Sequence, residues 1–358
     1  MIGLRVTSTE QLSQTIFKTN TSMRSREKRC PAEVYVYDLL PEWQVDFGKN
    51  SLYESEILLH QNFLRSRCRT RDPNSADFFF VPVYTFNYVF HYIEKHSLSL
   101  AHSTQDQILG KLHSAVISYL DVNYTETWRR KGGRDHIWVL PYDYGNAFFP
   151  ITNGILIGPT GPGDWGGLTV GRDFFAPPTV LPNFGVHILN STKTHYAFYS
   201  GSNGAPVRIQ FEKILENDTT ITRPGHIGKG DYLEYMKQSK LCMCPAGWAG
   251  WTGRFFEALM MECVPVIIAD LFYEPFKFVI DYSQISYRIQ ERDMPNLLEI
   301  MKTWKDEDIQ QKIENIQKVK LWFRYLASGD VDNEPSVFLL LLHWLGIKRL
   351  LMLHEFVN

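Results

Sequence analysis

The sequence predicts an α/β fold made of two Rossmann-like domains that face each other across a cleft. Apolar, strand-like runs alternate with helical segments in both halves of the chain, a pattern typical of parallel sheets. Polarity rises around Ser191–His195, and a second strand–helix series begins there. We therefore expect a polar tail over 1–30, an N-terminal domain over 31–190, a C-terminal domain over 191–330 and a closing helix over 331–358.

The composition is that of a globular protein with little net charge. The 358 residues are 44% apolar and 14% aromatic, and the formal net charge is −2. Proteins that bind nucleic acid need a clear excess of Lys and Arg on one face, so this balance argues against a nucleic-acid partner. Exposed aromatic side chains suit stacking on sugar rings, although most aromatics in proteins belong to the core.

The N-terminal half reads as strand, helix, strand, helix, strand. The first strand is VYVYDLLP from Val34, where β-branched and aromatic residues alternate. Apolar residues at helical spacing predict a helix over Tyr53–Arg65, and DFFFVPVY is the second strand. A further helix is expected over His113–Tyr124, followed by a third strand in HIWVLPYDYG.

The C-terminal half repeats the pattern with AFYSGSNGAPVR as a strand and turn, and VRIQFEKILEN as a helix. The stretch Leu241–Asp270 then reads as one strand–loop–helix–strand unit with a loop of Gly and Trp. A polar helical stretch over Met294–Leu326 precedes the last apolar run, Val337–Ile347. That run is too short to cross a bilayer and predicts a packed helix.

The five cysteines are too few for a disulfide scaffold, and their spacing does not match a zinc site. We therefore expect no metal. Cys30 could pair with Cys68, and Cys263 with either Cys242 or Cys244, in an oxidising compartment. Such a compartment agrees with the Asn-x-Ser/Thr sequons at Asn20, Asn123, Asn190 and Asn217.

The turn in Phe198–Arg208 is the first candidate binding feature. Small residues such as Gly201 directly follow a strand, so backbone amides can approach a phosphate while Arg208 supplies positive charge. The alternative is an ordinary glycine turn with a surface arginine, because single glycine-rich turns are common.

The second candidate feature is the loop and helix start in Gly247–Glu257. Glycines, Gly247 among them, loosen a loop that leads Arg254 and Glu257 into the first turn of a helix. The arginine can hold a diphosphate while the carboxylate accepts the hydroxyls of a ribose. The alternative is a solvated arginine–glutamate pair, which the apolar neighbours of both residues disfavour.

Asp143 is the candidate general base. It lies in Pro-Tyr-Asp-Tyr-Gly after the third predicted strand, so it belongs at the carboxyl end of that strand and faces the cleft. A carboxylate there could take a proton from a substrate hydroxyl. It could equally cap the next helix.

With these residues identified, the chain resembles the exostosin family of glycosyltransferases, family 47, from about Val34 to Ile300. The matching segments are VYVYDLLP, RTRDPNSADFFFVPVY, RDHIWVLPYDYG, FYSGSNGAPVR and YLEYMKQSKLCMCPAGWAGWTGRFFEALMMECVPVIIADLFYEPF. CPAGWAGWTGR is most similar to plant members that build xylan and related wall polysaccharides.

The resemblance implies a GT-B fold and an inverting transferase that moves a sugar from a nucleotide diphosphate, usually UDP, to a polysaccharide or glycan. It implies that Arg208 and Arg254 hold the diphosphate, that Glu257 binds the ribose, and that no cofactor or metal is needed. It also implies a Golgi lumen location through an N-terminal membrane anchor. Residues 1–30 contain no such helix, so we expect the natural start to lie upstream.

Two departures from the family pattern stand out. Plant relatives usually have His-Asp where this chain has Tyr142-Asp143, and Gly-Cys where it has Glu262-Cys263. These departures keep open an alternative function, a catalytically degenerate partner subunit or glycan-binding module. A nucleotide-sugar epimerase is a second alternative, which the missing early GxGxxG disfavours. Glucuronic acid, xylose, galactose and arabinose all stay open as the transferred sugar.

Overall fold

The computed structural model describes residues 30–48, 52–142, 153–164, 167–180, 189, 191–201, 204–225 and 227–355. The protein divides into two compact units. The N-terminal unit comprises Glu27–Pro182 and Arg324–Asn358, and the C-terminal unit comprises Asn183–Phe323. The last helix of the chain therefore belongs to the N-terminal unit.

The N-terminal unit is built on a six-stranded sheet in which every neighbouring pair is parallel, in the order β2-β1-β3-β4-β5-β6. Its strands are β1 (Val34–Val36), β2 (Arg69–Thr70), β3 (Phe78–Phe80), β4 (His136–Val139), β5 (Ile155–Gly158) and β6 (Phe174–Phe175). Its helices are α1 (Ser55–Arg65), α2 (Thr85–Lys95), α3 (His102–Asn123), α4 (Thr125–Arg129) and α10 (Val337–Glu355).

The strands of this sheet are buried on both faces, as expected when helices cover a parallel sheet. All residues of β3, β4 and β5 are buried.

One predicted helix of the N-terminal unit is wrong in its bounds. The helix expected over His113–Tyr124 is the second half of α3, which begins at His102, and α2 precedes it. The aromatic sequence of α2, TFNYVFHYIEK, follows a strand directly and so resembles its continuation.

The C-terminal unit has a five-stranded parallel sheet in the order β11-β10-β9-β7-β8. Its strands are β7 (His195–Phe198), β8 (Ile221–Thr222), β9 (Ser239–Pro245), β10 (Val264–Ile268) and β11 (Tyr287–Arg288). Its helices are α5 (Pro206–Ile214), α6 (Lys229–Lys237), α7 (Gly253–Met260), α8 (Leu297–Lys302) and α9 (Asp306–Val319). Short 3-10 helices complete the described structure at Pro41–Trp43, Arg130–Gly133, Tyr282–Gln284, Glu291–Asn296 and Lys320–Phe323.

The direction of the chain reverses between β7 and β9. From β7 it moves outward to β8, then crosses back to β9 and continues through β10 to β11. Such a switch point leaves a crevice outside the carboxyl ends of the two central strands, where α/β proteins bind ligands. The loops that follow β7 and β9 are the two glycine-containing segments singled out in the sequence.

The cysteine pairs form within each unit. Cys30 is bonded to Cys68 in the N-terminal unit, and Cys242 to Cys263 in the C-terminal unit. Cys244 is a buried free thiol, so the alternative pairing of Cys263 with Cys244 is wrong. None of the helices in the described ranges combines the length and the apolar character that a bilayer crossing requires.

Glu262, one of the two departures, has a backbone conformation that normally suits glycine. Its φ is +54°, in the left-handed region, and the side chain is only 2% exposed. The carboxylate forms an ion pair of 2.8 Å with the buried Lys320 Nζ and accepts a hydrogen bond of 2.9 Å from Gln317 Nε2. A buried ion pair therefore replaces the glycine at this turn.

Candidate active site

Two loops form the candidate site at the switch point of the C-terminal sheet. The first follows β7 and leads through Gly201 and Gly204 into α5, which carries Arg208 in its first turn. The second follows β9 and leads through Gly247 into α7, which carries Arg254 and Glu257. The structure thus brings together the two arginines, the two predicted glycines and the glutamate.

Arg254 is the most buried cation of this site, with 9% of the residue exposed. Its Nη2 donates a hydrogen bond of 2.7 Å to the Ser200 carbonyl, and its Nε donates one of 3.3 Å to the Tyr232 hydroxyl. The guanidinium also lies over the Tyr199 ring, 4.8 Å from its centroid. Its Nη1 is buried and has no hydrogen-bond partner within the described part of the chain. A buried guanidinium with a free donor can accept an anionic ligand.

Arg208 lies close to the same point. Burial, and then the charge of Arg254, lower the pKa of Arg208, which shows that the two guanidinium groups oppose each other electrostatically. The Nε of Arg208 is likewise buried and unpaired by any residue that the structure describes. Two adjacent cations with unused donors are unfavourable alone and become favourable when an anion binds between them.

The glycines of the two loops make room for these side chains. A β-carbon built on Gly201 would collide with Arg254 Nη2, and one built on Gly247 would lie 3.2 Å from Arg208 Nη2. Each predicted glycine therefore lies against one predicted arginine. This close approach, and not an unusual backbone angle, explains the glycine at both positions.

Glu257 is half-buried and points to Tyr232. The Tyr232 hydroxyl donates a hydrogen bond of 3.0 Å to Glu257 Oε2 and accepts one from Arg254 Nε. The tyrosine therefore links the carboxylate to the arginine. No hydrogen bond from a described residue to the other oxygen, Glu257 Oε1, is seen, and a carboxylate oxygen can accept one from a hydroxyl ligand.

A cavity of about 980 Å³ adjoins the arginines. It begins at the end of β7 and extends past the end of β8 to α6. Its lining residues are Tyr199, Ser200, Gly201, Glu212, Asp218, Thr219, Ile221, Thr222, Arg223, Gly225, Ile227 and Tyr232. Four of these, Tyr199, Ser200, Gly201 and Tyr232, also surround Arg254. A ligand held by the arginines can therefore extend into this cavity.

Two predictions concern the N-terminal unit. Asp143, the predicted base, lies outside the described residues. Tyr142 precedes it, and its hydroxyl donates a hydrogen bond to the Gln105 side chain. The Tyr142 ring also lies 6.0 Å from that of Phe86.

Within the described ranges no group of three or more His, Cys, Asp or Glu side chains is placed to hold a metal ion, and metal-free catalysis stays a prediction.

Sequence reasoning missed Tyr199 and Tyr232. Tyr199 and Tyr232 contact Arg254 from two different elements, the end of β7 and helix α6. A tyrosine in a helix carries no local sign of such a contact, so the sequence alone does not single it out. Tyr199 lies inside the FYSGSNGAPVR motif, and its position next to the glycine turn was a usable signal.

The comparison with protein families decides the assignment. A family model described as the exostosin GT47 domain matches residues 28–304. The chain belongs to this family. It is a glycosyltransferase, and as such it uses a nucleotide-sugar donor and a glycan acceptor. The predicted family is thereby confirmed, and so is the predicted α/β, GT-B fold class, since each unit is a Rossmann-like domain with a parallel sheet.

Several curated plant proteins resemble this exostosin-family chain over most of its length. The probable glucuronosyltransferase GUT1 of Oryza sativa subsp. japonica is 27% identical, over 78% of this chain and 72% of its own. A probable glucuronoxylan glucuronosyltransferase of Arabidopsis thaliana is 27% identical, over 75% of this chain and 63% of its own. The probable beta-1,4-xylosyltransferase IRX10 of Arabidopsis thaliana is 26% identical, over 78% and 73%.

Solved structures resemble the chain only weakly. The crystal structure of TarM matches with a TM-score of 0.37 and 13% identity, over 66% of this chain and 58% of TarM. A likeness at this level says nothing about substrate or mechanism.

Proposed function

We propose that this protein is an inverting glycosyltransferase that moves a sugar from a UDP-sugar to a polysaccharide acceptor. The observation that carries the proposal is the pair Arg208 and Arg254. Both guanidinium groups have buried N–H donors without a partner among the described residues, and they meet at the switch point of a parallel sheet. A diphosphate supplies the charge and the acceptor oxygens that this arrangement needs.

The remaining parts of the nucleotide can be placed around Arg208 and Arg254. The diphosphate lies at Arg208 and Arg254, next to the N-terminus of α7, whose dipole favours negative charge. The ribose hydroxyls donate to Glu257 Oε1, and the uracil enters the 980 Å³ cavity past Tyr232. The cavity is large enough for a base and a ribose, since ligand pockets typically measure about 300–1,000 Å³.

In the proposed reaction, the oxygen of an acceptor hydroxyl forms a bond to the anomeric carbon of the donor sugar. The bond from that carbon to the diphosphate oxygen breaks on the opposite face, and its electron pair stays on the diphosphate. Arg208, Arg254 and the start of α7 stabilise this developing charge. Asp143 takes the proton of the attacking hydroxyl in this proposal.

The sugar and the acceptor are proposed from the relatives. GUT1 and the glucuronoxylan relative are named as glucuronosyltransferases, and IRX10 as a xylosyltransferase. Glucuronic acid and xylose are therefore the first donors to test, ahead of galactose and arabinose, with xylan fragments as acceptors. The proposed location is the Golgi lumen, reached through an N-terminal membrane anchor. It is supported by the disulfides Cys30–Cys68 and Cys242–Cys263, which need an oxidising compartment.

A donor screen tests the proposal. The purified protein is incubated with UDP-glucuronic acid, UDP-xylose, UDP-galactose and UDP-arabinose, each with and without xylohexaose, and UDP release is measured. We expect release from one donor, faster when the acceptor is present. UDP release from none of the donors, while UDP still binds, would instead favour a partner subunit or glycan-binding module. Bound NAD in the purified protein would favour the epimerase alternative.

A further inference from the structure

Trp248 is an exposed tryptophan in the loop between β9 and α7. The residue is 79% exposed, whereas Trp251, three positions further along the same loop, is 7% exposed. Of the tryptophans that the structure describes, only Trp248 belongs to the exposed large apolar residues. Tryptophan is normally mostly buried, because its large ring gains free energy when it leaves water. A single exposed apolar side chain is common on protein surfaces, so the exposure of Trp248 gains meaning only from where the ring lies.

The indole lies at the rim of the arginine site. A β-carbon built on Gly204 would lie 3.5 Å from Trp248 Nε1 and 3.6 Å from Cζ2, so one edge of the ring rests against the loop that follows β7. Gly247, the preceding residue, lies against Arg208. Trp248 is therefore placed beside the cations proposed to hold the diphosphate.

The ring is not needed to hold its own loop together. Its high exposure leaves little apolar area buried, and Trp251 is the tryptophan of this loop that packs into the protein. Helix α7 is anchored independently by the buried Phe255, Phe256 and Leu259. Replacing the indole should therefore change ligand contacts and leave the fold intact.

The chemistry of a sugar nucleotide suggests which part of the substrate contacts the Trp248 indole. One face of a pyranose ring presents several C–H groups, and the face of an aromatic ring carries partial negative charge that attracts them. The sugar is attached to the diphosphate, so it lies next to whatever holds that diphosphate. We propose that Trp248 is a stacking surface for a pyranose ring of the substrate. This inference rests on the proposed function.

Two pyranose rings meet at the reaction centre, the donor sugar and the terminal sugar of the acceptor. Both present the same C–H chemistry to an indole. If the indole stacks on the donor sugar, replacing Trp248 raises the Michaelis constant for the donor. If it stacks on the acceptor sugar, the replacement raises the Michaelis constant for the acceptor, so one set of variants separates the two cases.

The test uses Trp248→Ala, Trp248→Phe and a control, Val122→Ala. Val122 is equally exposed, at 77%, and lies in α3 of the other unit. For each variant, calorimetry gives the Kd for UDP, and UDP release gives KM for the active donor and for xylohexaose. In Trp248→Ala we expect one of the two KM values to rise about tenfold and the Kd for UDP to stay within about twofold of wild type. The Phe variant keeps an aromatic face and should recover most of the loss.

A raised donor KM identifies the donor sugar as the stacked ring, and a raised xylohexaose KM identifies the acceptor. The inference is overturned when both KM values of Trp248→Ala match wild type. It is equally overturned when UDP binding weakens as much as sugar binding, or when Trp248→Phe is as impaired as Trp248→Ala. A wild-type protein that releases UDP from no donor contradicts the proposed function itself, and this result is visible before any variant is compared.

Discussion

At the scale of single residues, the site is organised around Arg254. Leaving a buried donor of a charged group unpaired costs free energy, in the range of about 1–3 kcal/mol or more. Arg254 Nη1 and Arg208 Nε are both buried without a hydrogen-bond partner among the described residues. An anion that pairs with both removes the cost on binding.

Gly201→Ala tests the close approach to Arg254. The added β-carbon would collide with Arg254 Nη2 and must displace the guanidinium. We expect the donor KM to rise roughly tenfold, because overpacking of a tight site typically costs about 1–3 kcal/mol. Gly230→Ala is the matched control. Gly230 lies in helix α6 with no atom within 4 Å of an added β-carbon, so its activity should equal wild type. Equal donor KM values in the two variants would contradict this role of Gly201.

Glu262 and Lys320 show how a departure from the family pattern is accommodated. Glutamate in the left-handed conformation costs about 1–2 kcal/mol of backbone energy relative to glycine. The buried ion pair to Lys320, 2.8 Å long, offsets this cost only while both partners are present. A buried charge that loses its partner is strongly destabilising.

A double-mutant cycle tests this pairing. Glu262→Gly and Lys320→Met should each lower the free energy of unfolding by about 3–5 kcal/mol, the usual cost of breaking a buried ion pair. The double variant should recover most of this loss, because glycine suits the φ of +54° and methionine fills the space of the lysine stem. Urea unfolding measures all four proteins. Losses that simply add in the double variant would show that the two residues are independent.

At the scale of elements, helix α1 carries two titratable groups with opposite effects on stability. Burial raises the pKa of Glu56 to about 7, against hydrogen bonds from Asn87, Thr85 and the Phe86 amide that lower it. Burial, and then the charge of Arg69, lower the pKa of His60 to about 4. Folding therefore favours the neutral form of both side chains. Acidification stabilises the protein through Glu56 and destabilises it through His60.

The contribution of His60 can be isolated with His60→Gln, whose side-chain amide can still form a hydrogen bond with the Tyr84 hydroxyl. The folded pKa of about 4 lies below the ordinary 6.5, so the stability due to neutral His60 is present above pH 6.5 and is lost as pH falls toward 4. The wild-type free energy of unfolding should fall by about 3 kcal/mol relative to the variant across this range. Denaturant unfolding at several pH values measures the difference. Parallel pH curves for the two proteins would contradict the assignment.

Elements with a strong local pattern could be predicted from the sequence. The glycine loop, α7 and the buried VPVII strand occur in the predicted order, because a strand–loop–helix–strand unit is encoded within one short stretch. The polar stretch Met294–Leu326 forms two helices, α8 and α9, which are separated at residues 303–305, and a short 3-10 segment adjoins each of them on the outer side. Helix α10 continues past Ile347 to Glu355 with exposed leucines, which the apolar run alone did not indicate.

At the scale of the whole molecule, the order of strands determines where the chemistry lies. Sequence order alone does not say that β8 lies at the edge and β9 next to β7. That reversal brings Arg208 and Arg254, which come from separate loops, to the same crevice. The motifs identified each arginine, but only the sheet order shows that the two arginines lie side by side. Tyr232 could not be assigned in advance, because its contact with Arg254 joins helix α6 to helix α7.

The central claim is that the C-terminal unit binds a nucleoside diphosphate through its paired arginines. The most direct measurement is isothermal titration of UDP into the wild-type protein and into Arg254→Met, which keeps the side-chain volume without the charge. We predict that the wild type binds UDP and that the variant, shown to be folded by circular dichroism, binds it about a hundredfold more weakly, since losing one partner of a buried charge pair costs about 2–5 kcal/mol. Equal affinities in the two proteins, or no binding of UDP to the wild type, would contradict the account.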